Sequence, residues 1–131
     1  MIFQIIEPIA SNIIYGFDMM EQMISEYKEV PLFPFLYTVL ITSLTAGICE
    51  EIIWRGYIQT RLEYKLRNKI FAIIIQAILF GLWHGTSIHA IFTAIFGFTS
   101  GFLYYRTRRL IPIIVSHWIG DVIGFSVMYF I

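Results

Sequence analysis

From about residue 35 to the C-terminus the chain consists of four apolar runs, each roughly 17 to 25 residues long, joined by short connections. A helix of that length crosses the hydrocarbon core of a bilayer. The runs extend from Phe35 past Arg55 toward Lys65, from Asn68 to Gly85, from Ile88 to Tyr105, and from Ile111 onward. They are apolar all round rather than along one stripe, which is the pattern of helices buried on every side. Composition decides between a protein core and lipid as the surrounding medium. Apolar residues make up 58% of the 131, charged residues 14%, and mean hydropathy is +0.74. A water-soluble domain of this size covers its surface with charge, and here there is too little. The expected fold is all-α, a multi-span transmembrane bundle with a four-helix core, and its first partner is the lipid bilayer.

The region before the core reads differently. Residues 1–30 divide into an apolar stretch interrupted by Glu7, Pro8 and Asn12, and an acidic linker with Glu21, Glu26 and Glu29. The first is expected to be a short interfacial or partial helix. Residues 31–131 form the membrane core, opened by Pro31 and Pro34, which suit a helix's first turn.

Charge sets the expected orientation. The connection after the first run, 56–69, holds Arg61, Lys65, Arg67 and Lys69 against Glu63 alone; residues 106–109 hold Arg106, Arg108 and Arg109. Four alternating spans put both connections on one side, and their charge makes that side cytoplasmic. The expected location is the cell membrane, as a multi-pass protein. Net charge is zero with a pI near 6.8, which gives no electrostatic footprint for nucleic acid. Small residues recur every four positions at Thr93, Gly97 and Gly101, and again at Ser116, Gly120 and Gly124. Such spacing lets helix backbones approach closely in lipid.

Ionisable groups within membrane helices are rare and mark function. The candidates are Glu50, Glu51, Arg55, His84, His117 and Asp121, with His89 near a span end. Glu51 and Arg55 stand four apart on one helical face, acid before base, as a structural ion pair. Glu50 is turned by about 100° from Glu51, lacks that partner, and is expected to face the bundle interior. His117 and Asp121 also share a face, as do Phe80 and His84, which sets an aromatic wall beside the imidazole. Cys49 reads as a small packing residue and His89 as incidental. At 1.5 Å rise per residue, His84 lies about 24 Å from Asn68, and Glu50 about 16 Å from Arg61 or about 22 Å from Lys65. Their meeting requires tilt, or a first helix that continues beyond Arg61.

The series Glu50-Glu51-x-x-x-Arg55, Phe80-x-x-x-His84 and His117-x-x-x-Asp121, on successive membrane helices, resembles the CPBP family of intramembrane proteases. That family includes CAAX prenyl endopeptidases and bacterial Abi proteins, some linked to bacteriocin immunity. The resemblance covers about residues 35–131. It implies an intramembrane endopeptidase, acting on a peptide or protein substrate at the membrane near the cytoplasmic leaflet. It assigns Glu50 as general base, His84 to holding the attacking water, and His117 with Asp121 to completing the site. Many members carry asparagine where Asp121 stands. An ionised aspartate accepts hydrogen bonds and donates none, so it orients His117 or binds a metal.

Two routes fit these residues. A carboxylate in a low-dielectric bundle is a stronger base than one in water. Alternatively a divalent metal, zinc being the ordinary choice, held by Glu50, His84, His117 and Asp121, acidifies its bound water. Members of the family are described as metalloproteases, a metal-free glutamate mechanism fits the same side chains, and the sequence leaves both routes open. Two other functions stay open: a non-catalytic immunity or interaction protein on this scaffold, and a small proton or ion transporter, since buried Glu and His also line ion paths.

Overall fold

A computed structural model describes residues 17–130, together with Ala10, Ile13 and Ile14. The expectation of a helix over 1–17 therefore falls largely outside the described residues. Those described are almost wholly helical and include no strand. Helix α1 spans Phe17–Glu29, α2 Leu32–Leu66, α3 Lys69–Trp83, α4 Ile88–Thr107 and α5 Ile111–Phe130. Three of them, α2, α4 and α5, are long and apolar enough to cross a membrane. The fourth expected span, α3, is apolar but has only 15 residues. That is about 22 Å, short of a hydrocarbon core of about 30 Å.

Helix α2 departs twice from α-helical winding. Thr38–Thr42 and Ile52–Gln59 are π-helical turns, the second beginning directly after the Glu50-Glu51 pair. Such turns are frequent at functional sites because they re-aim side chains without ending the helix.

The fold groups into two units. One comprises the described residues up to Ala46 and from Ser116 onward; the other is Gly47–Val115. In the first, the end of α5 meets the start of α2. Phe35 stacks on Tyr129 with centroids 3.8 Å apart and meets the edge of Phe130 at 6.1 Å. Tyr129 donates its hydroxyl to the Val30 carbonyl at 3.0 Å, and Trp118 Nε1 donates to the Leu40 carbonyl at 2.9 Å.

In the second unit, α3 packs along α4 through small residues. Thr93, Gly97, Ser100 and Gly101 are all buried on α4. A Cβ on Gly97 would lie 3.2 Å from Ala77 Cα, and one on Gly81 would lie 2.5 Å from the Ala90 carbonyl oxygen. The contact is therefore backbone to backbone, as the four-residue spacing in 93–101 predicts. One buried amide fastens it, and a second ties α2 to α4. Gln76 Nε2 donates to the Gly97 carbonyl at 2.7 Å, and Gln59 Nε2, from the π-turn of α2, donates to the Gly101 carbonyl at 2.9 Å.

The ends of α3 explain its length. Asn68 accepts from the Phe71 amide at 3.0 Å, an N-cap that opens the helix. At the other end His84 leaves helical geometry and Gly85 takes φ +109°, which L side chains rarely adopt. The chain turns there and re-enters helix at Ile88.

Candidate active site

His84 owes its position to that helix end. The last carbonyls of a helix lack backbone donors, and the His84 ring supplies one: Nδ1 lies 2.9 Å from the Phe80 carbonyl oxygen. A carbonyl only accepts, so Nδ1 carries the hydrogen, and in the neutral ring Nε2 is left with its lone pair. That Nε2 stands 3.9 Å from Glu50 Oε2. Both side chains are about one-quarter exposed, so the gap between them opens to the surface of this unit.

Glu50 and Glu51 divide as their angular separation requires, but not in the direction expected. Glu51 enters the fully buried core of the unit with Arg55, whose Nη1 donates to Glu51 Oε1 at 3.0 Å. Glu50, expected to face the interior, stands at the partly open edge. The Arg55 guanidinium also lies over the Phe80 ring at 4.4 Å and nearer the edge of reach of Phe96 at 5.7 Å. Phe80 meets the His84 ring edge-on at 4.8 Å and Trp54 at 5.3 Å. It therefore separates the Arg55 cation from the imidazole while touching both.

The depth mismatch between Glu50 and His84 resolves through the length of α2. The helix continues to Leu66, so Glu50 precedes its end by sixteen residues, about 24 Å. His84 follows the start of α3 by fifteen, about 22 Å. The two side chains reach the same level, at the far end of α3 from the basic connections.

In the other unit, His117 and Asp121 stand one turn apart on α5. His117 Nε2 lies 3.9 Å from Asp121 Oδ2, with the aspartate more exposed than the imidazole. Their spacing keeps them on one face, as expected from sequence. Among the described residues no group of three or more His, Cys, Asp or Glu side chains is arranged to hold a metal ion.

Other positions differ from their sequence reading. Cys49 is exposed rather than packed. His89, read as incidental, meets the His84 ring edge-on at 5.8 Å. Gln59 and Gln76 carry no charge and so fall outside a candidate set built from ionisable residues. Both are fully buried, and an uncharged amide within an apolar helix carries the same signal, since interhelical hydrogen bonds are a main source of cohesion in lipid.

Comparison with known proteins decides the lineage. Residues 32–123 match the family model described as type II CAAX prenyl endopeptidase Rce1-like, a match covering more than half of the chain. The chain belongs to the Rce1-like family. Among curated relatives, "Putative membrane peptidase YdiL" of Bacillus subtilis (strain 168) is 37% identical over 79 residues. That alignment takes in 60% of the chain and 32% of YdiL, so the chain spans about a third of that relative's length. No solved structure matches the chain. Within the matched residues of this Rce1-like protein lie Glu50, Glu51, Arg55, His84, His117 and Asp121. Its long apolar helices and its peptidase relative make it a membrane protein of a peptidase family.

Proposed function

We propose that this Rce1-like protein is an intramembrane endopeptidase in which Glu50 and His84 activate a water molecule. The observation that carries the reading is the 3.9 Å separation of Glu50 Oε2 from His84 Nε2. It is too long for a hydrogen bond between the two and suits a bridging water. A water that donates one hydrogen to each of two acceptors holds them about 4.4 Å apart at ordinary O–H···O and O–H···N lengths. Both groups are acceptors here, a carboxylate and the lone pair left when Nδ1 donates to Phe80. The water's oxygen lone pairs then face outward, toward a peptide carbonyl.

In the step that follows, Glu50 takes one proton as the oxygen bonds to the carbonyl carbon. The same proton passes to the leaving amine as the C–N bond breaks, and the carboxylate returns to its starting state. His117 and Asp121, at the family's third motif, are proposed to serve the same reaction. Asp121 is proposed to orient the imidazole of His117 from one turn away on α5. The substrate class is a peptide or protein within or against the bilayer. The proposed orientation keeps 56–69 and 106–109 cytoplasmic. By the helix lengths above, Glu50 and His84 then lie about 22 to 24 Å along α2 and α3 from the basic ends of those helices, and cleavage near the cytoplasmic leaflet is proposed with α2 protruding on that side.

Cleavage of a membrane-embedded reporter peptide by purified protein in proteoliposomes tests the reading. Glu50→Gln and His84→Ala are each expected to lower the rate by a hundredfold or more, in keeping with loss of a general base or its partner (about 10² to 10⁴). Activity undiminished in Glu50→Gln overturns the proposal. A chelator that abolishes wild-type cleavage, with activity restored by zinc, assigns the water instead to a metal. Retained immunity or potential-driven ion flux in variants that do not cleave supports the interaction or transport readings.

A further inference from the structure

Seven of the nine basic residues of the chain fall in 61–69 and 106–109, at the adjoining ends of α2, α3 and α4 and the turns after α2 and α4, and in the Gly47–Val115 unit those ends are neighbours. Arg108 bonds to Glu63, and Lys69 Nζ lies 5.2 Å from the Tyr105 ring. Glu63 in turn accepts from the buried Gln59 at 2.9 Å, so the single acid among these bases is committed inward. That leaves Arg61, Lys65, Arg67, Lys69, Arg106 and Arg109 on one end of the unit, all exposed. Aromatic rings accompany them: Arg61 over Tyr57 at 5.5 Å and Arg106 over Phe102 at 6.0 Å. Aromatic side chains beside cations are the composition of a membrane–water interface.

Backbone conformation adds an independent observation. The two non-glycine residues with positive φ among those described are Arg67 and Arg108, each at φ 53° directly after a helix, α2 and α4. This is the position that helices usually give to glycine, because a Cβ is strained there. Arg108 answers to its ion pair with Glu63. Arg67 has an exposed side chain, with its guanidinium at the surface beside the other bases.

We propose that this basic collar binds the headgroups of anionic phospholipids, several at once, at the membrane surface where the two connections emerge. Phosphodiester oxygens pair with arginine in bidentate fashion and with lysine as a point charge. Charge complementarity argues for this occupant, since the collar lacks free acids and the surrounding surface is apolar enough for acyl chains to lie against it. The site is independent of peptidase activity.

The test reconstitutes the full-length protein in nanodiscs of equal phosphatidylglycerol and phosphatidylcholine and identifies the lipids retained on mild release by native mass spectrometry. Phosphatidylglycerol is expected to be enriched at least tenfold, and the enrichment to fall as salt rises. In Lys65→Gln/Arg67→Gln/Lys69→Gln the enrichment is expected to vanish, three surface cations having been lost. Arg67→Gly separates binding from folding. It relieves the strained φ, so thermal stability in an uncharged detergent holds or rises, while enrichment falls several-fold. Equal retention of the two lipids by the wild type overturns the proposal, as does enrichment unchanged in the triple variant. Displacement of phosphatidylglycerol by millimolar glycerophosphate or inorganic phosphate also overturns it, by making the site one for free phosphate.

Discussion

At the scale of single residues, the charged pair that the proposed chemistry leaves aside is the one most deeply buried. Glu51 and Arg55 have no exposed surface, and the Nε and Nη2 atoms of Arg55 have no hydrogen-bond partner among the described residues. Phe80 supplies part of what they lack, through the face its ring turns to the guanidinium. Removing one member of such a pair leaves an uncompensated buried charge, so Arg55→Ala is expected to destabilise by about 3–5 kcal/mol. Replacing both, Glu51→Leu with Arg55→Met, removes the charge altogether and should restore most of that loss. Unfolding of the purified variants in mixed micelles reads both. A double variant as unstable as Arg55→Ala would mean the pair is held for its geometry rather than its neutrality. Gly85 offers a second case. A Cβ there would meet nothing within 4 Å, so the whole effect of Gly85→Ala is conformational, about 1–2 kcal/mol against φ +109°. Because that turn ends α3 at His84, the cleavage rate should fall with it. Gly85→Asn should lie between, asparagine tolerating positive φ better than alanine.

At the scale of elements, the four-residue rhythm of small side chains proves the most informative sequence signal after hydropathy itself. It located the α3–α4 contact without any knowledge of the partner surface, since close approach needs small residues whichever helix arrives. The Cβ test ranks the positions. On Gly81 the obstacles are the Ala90 carbonyl oxygen at 2.5 Å and Ala94 Cβ at 2.7 Å, which no rotamer change removes. On Gly101 they are the ends of Gln76 and Gln59, at 2.7 and 2.9 Å, and on Gly97 chiefly the Phe80 ring at 3.1 Å. Gly81→Ala is therefore expected at or above the top of the usual range for overpacking, about 3 kcal/mol, and Gly97→Ala near its foot, about 1 kcal/mol. Thermal inactivation of the three variants checks the order. The π-helical turn at Ile52–Gln59 was not legible in the same way. Side-chain periodicity reports which residues share a face under α-helical winding, and a widened turn shifts that register without any residue type to mark it. The spacing of Glu51 and Arg55 still gave their ion pair. It could not give the direction in which Glu50 points, because that depends on where the rest of the unit packs.

At the scale of the whole molecule, the shortness of α3 bears on how water reaches a site inside a bilayer. Hydropathy and length together read out α2, α4 and α5 from sequence; they left α1 as an acidic linker, its charged residues giving no apolar run, and overstated α3, since the apolar run continues through His84 to the turn while the helix stops at Trp83. A helix of about 22 Å beginning at the basic collar ends about 8 Å below the opposite face of a 30 Å core. The turn that carries His84, Gly85 and Ser87 would then sit within the membrane with polar backbone exposed, an arrangement tolerated only where water penetrates or the bilayer thins. Hydrolysis has the same requirement, because each turnover consumes a water. Ser87 is a convenient reporter, being exposed and making no side-chain capping bond at the start of α4. In a Cys49→Ser background, needed because Cys49 is itself exposed, a thiol at Ser87 is expected to react with a membrane-impermeant maleimide added outside the cell. The reaction should be slower than at an extramembrane control and still complete. A thiol at Lys65 should react only after the cytoplasmic side is opened, as the charge of the collar requires. Labelling of both positions from one side would overturn the proposed orientation. A Ser87 thiol that resists the impermeant reagent from either side, yet reacts with a lipid-soluble one, would close the proposed water path and leave the Glu50–His84 gap dry.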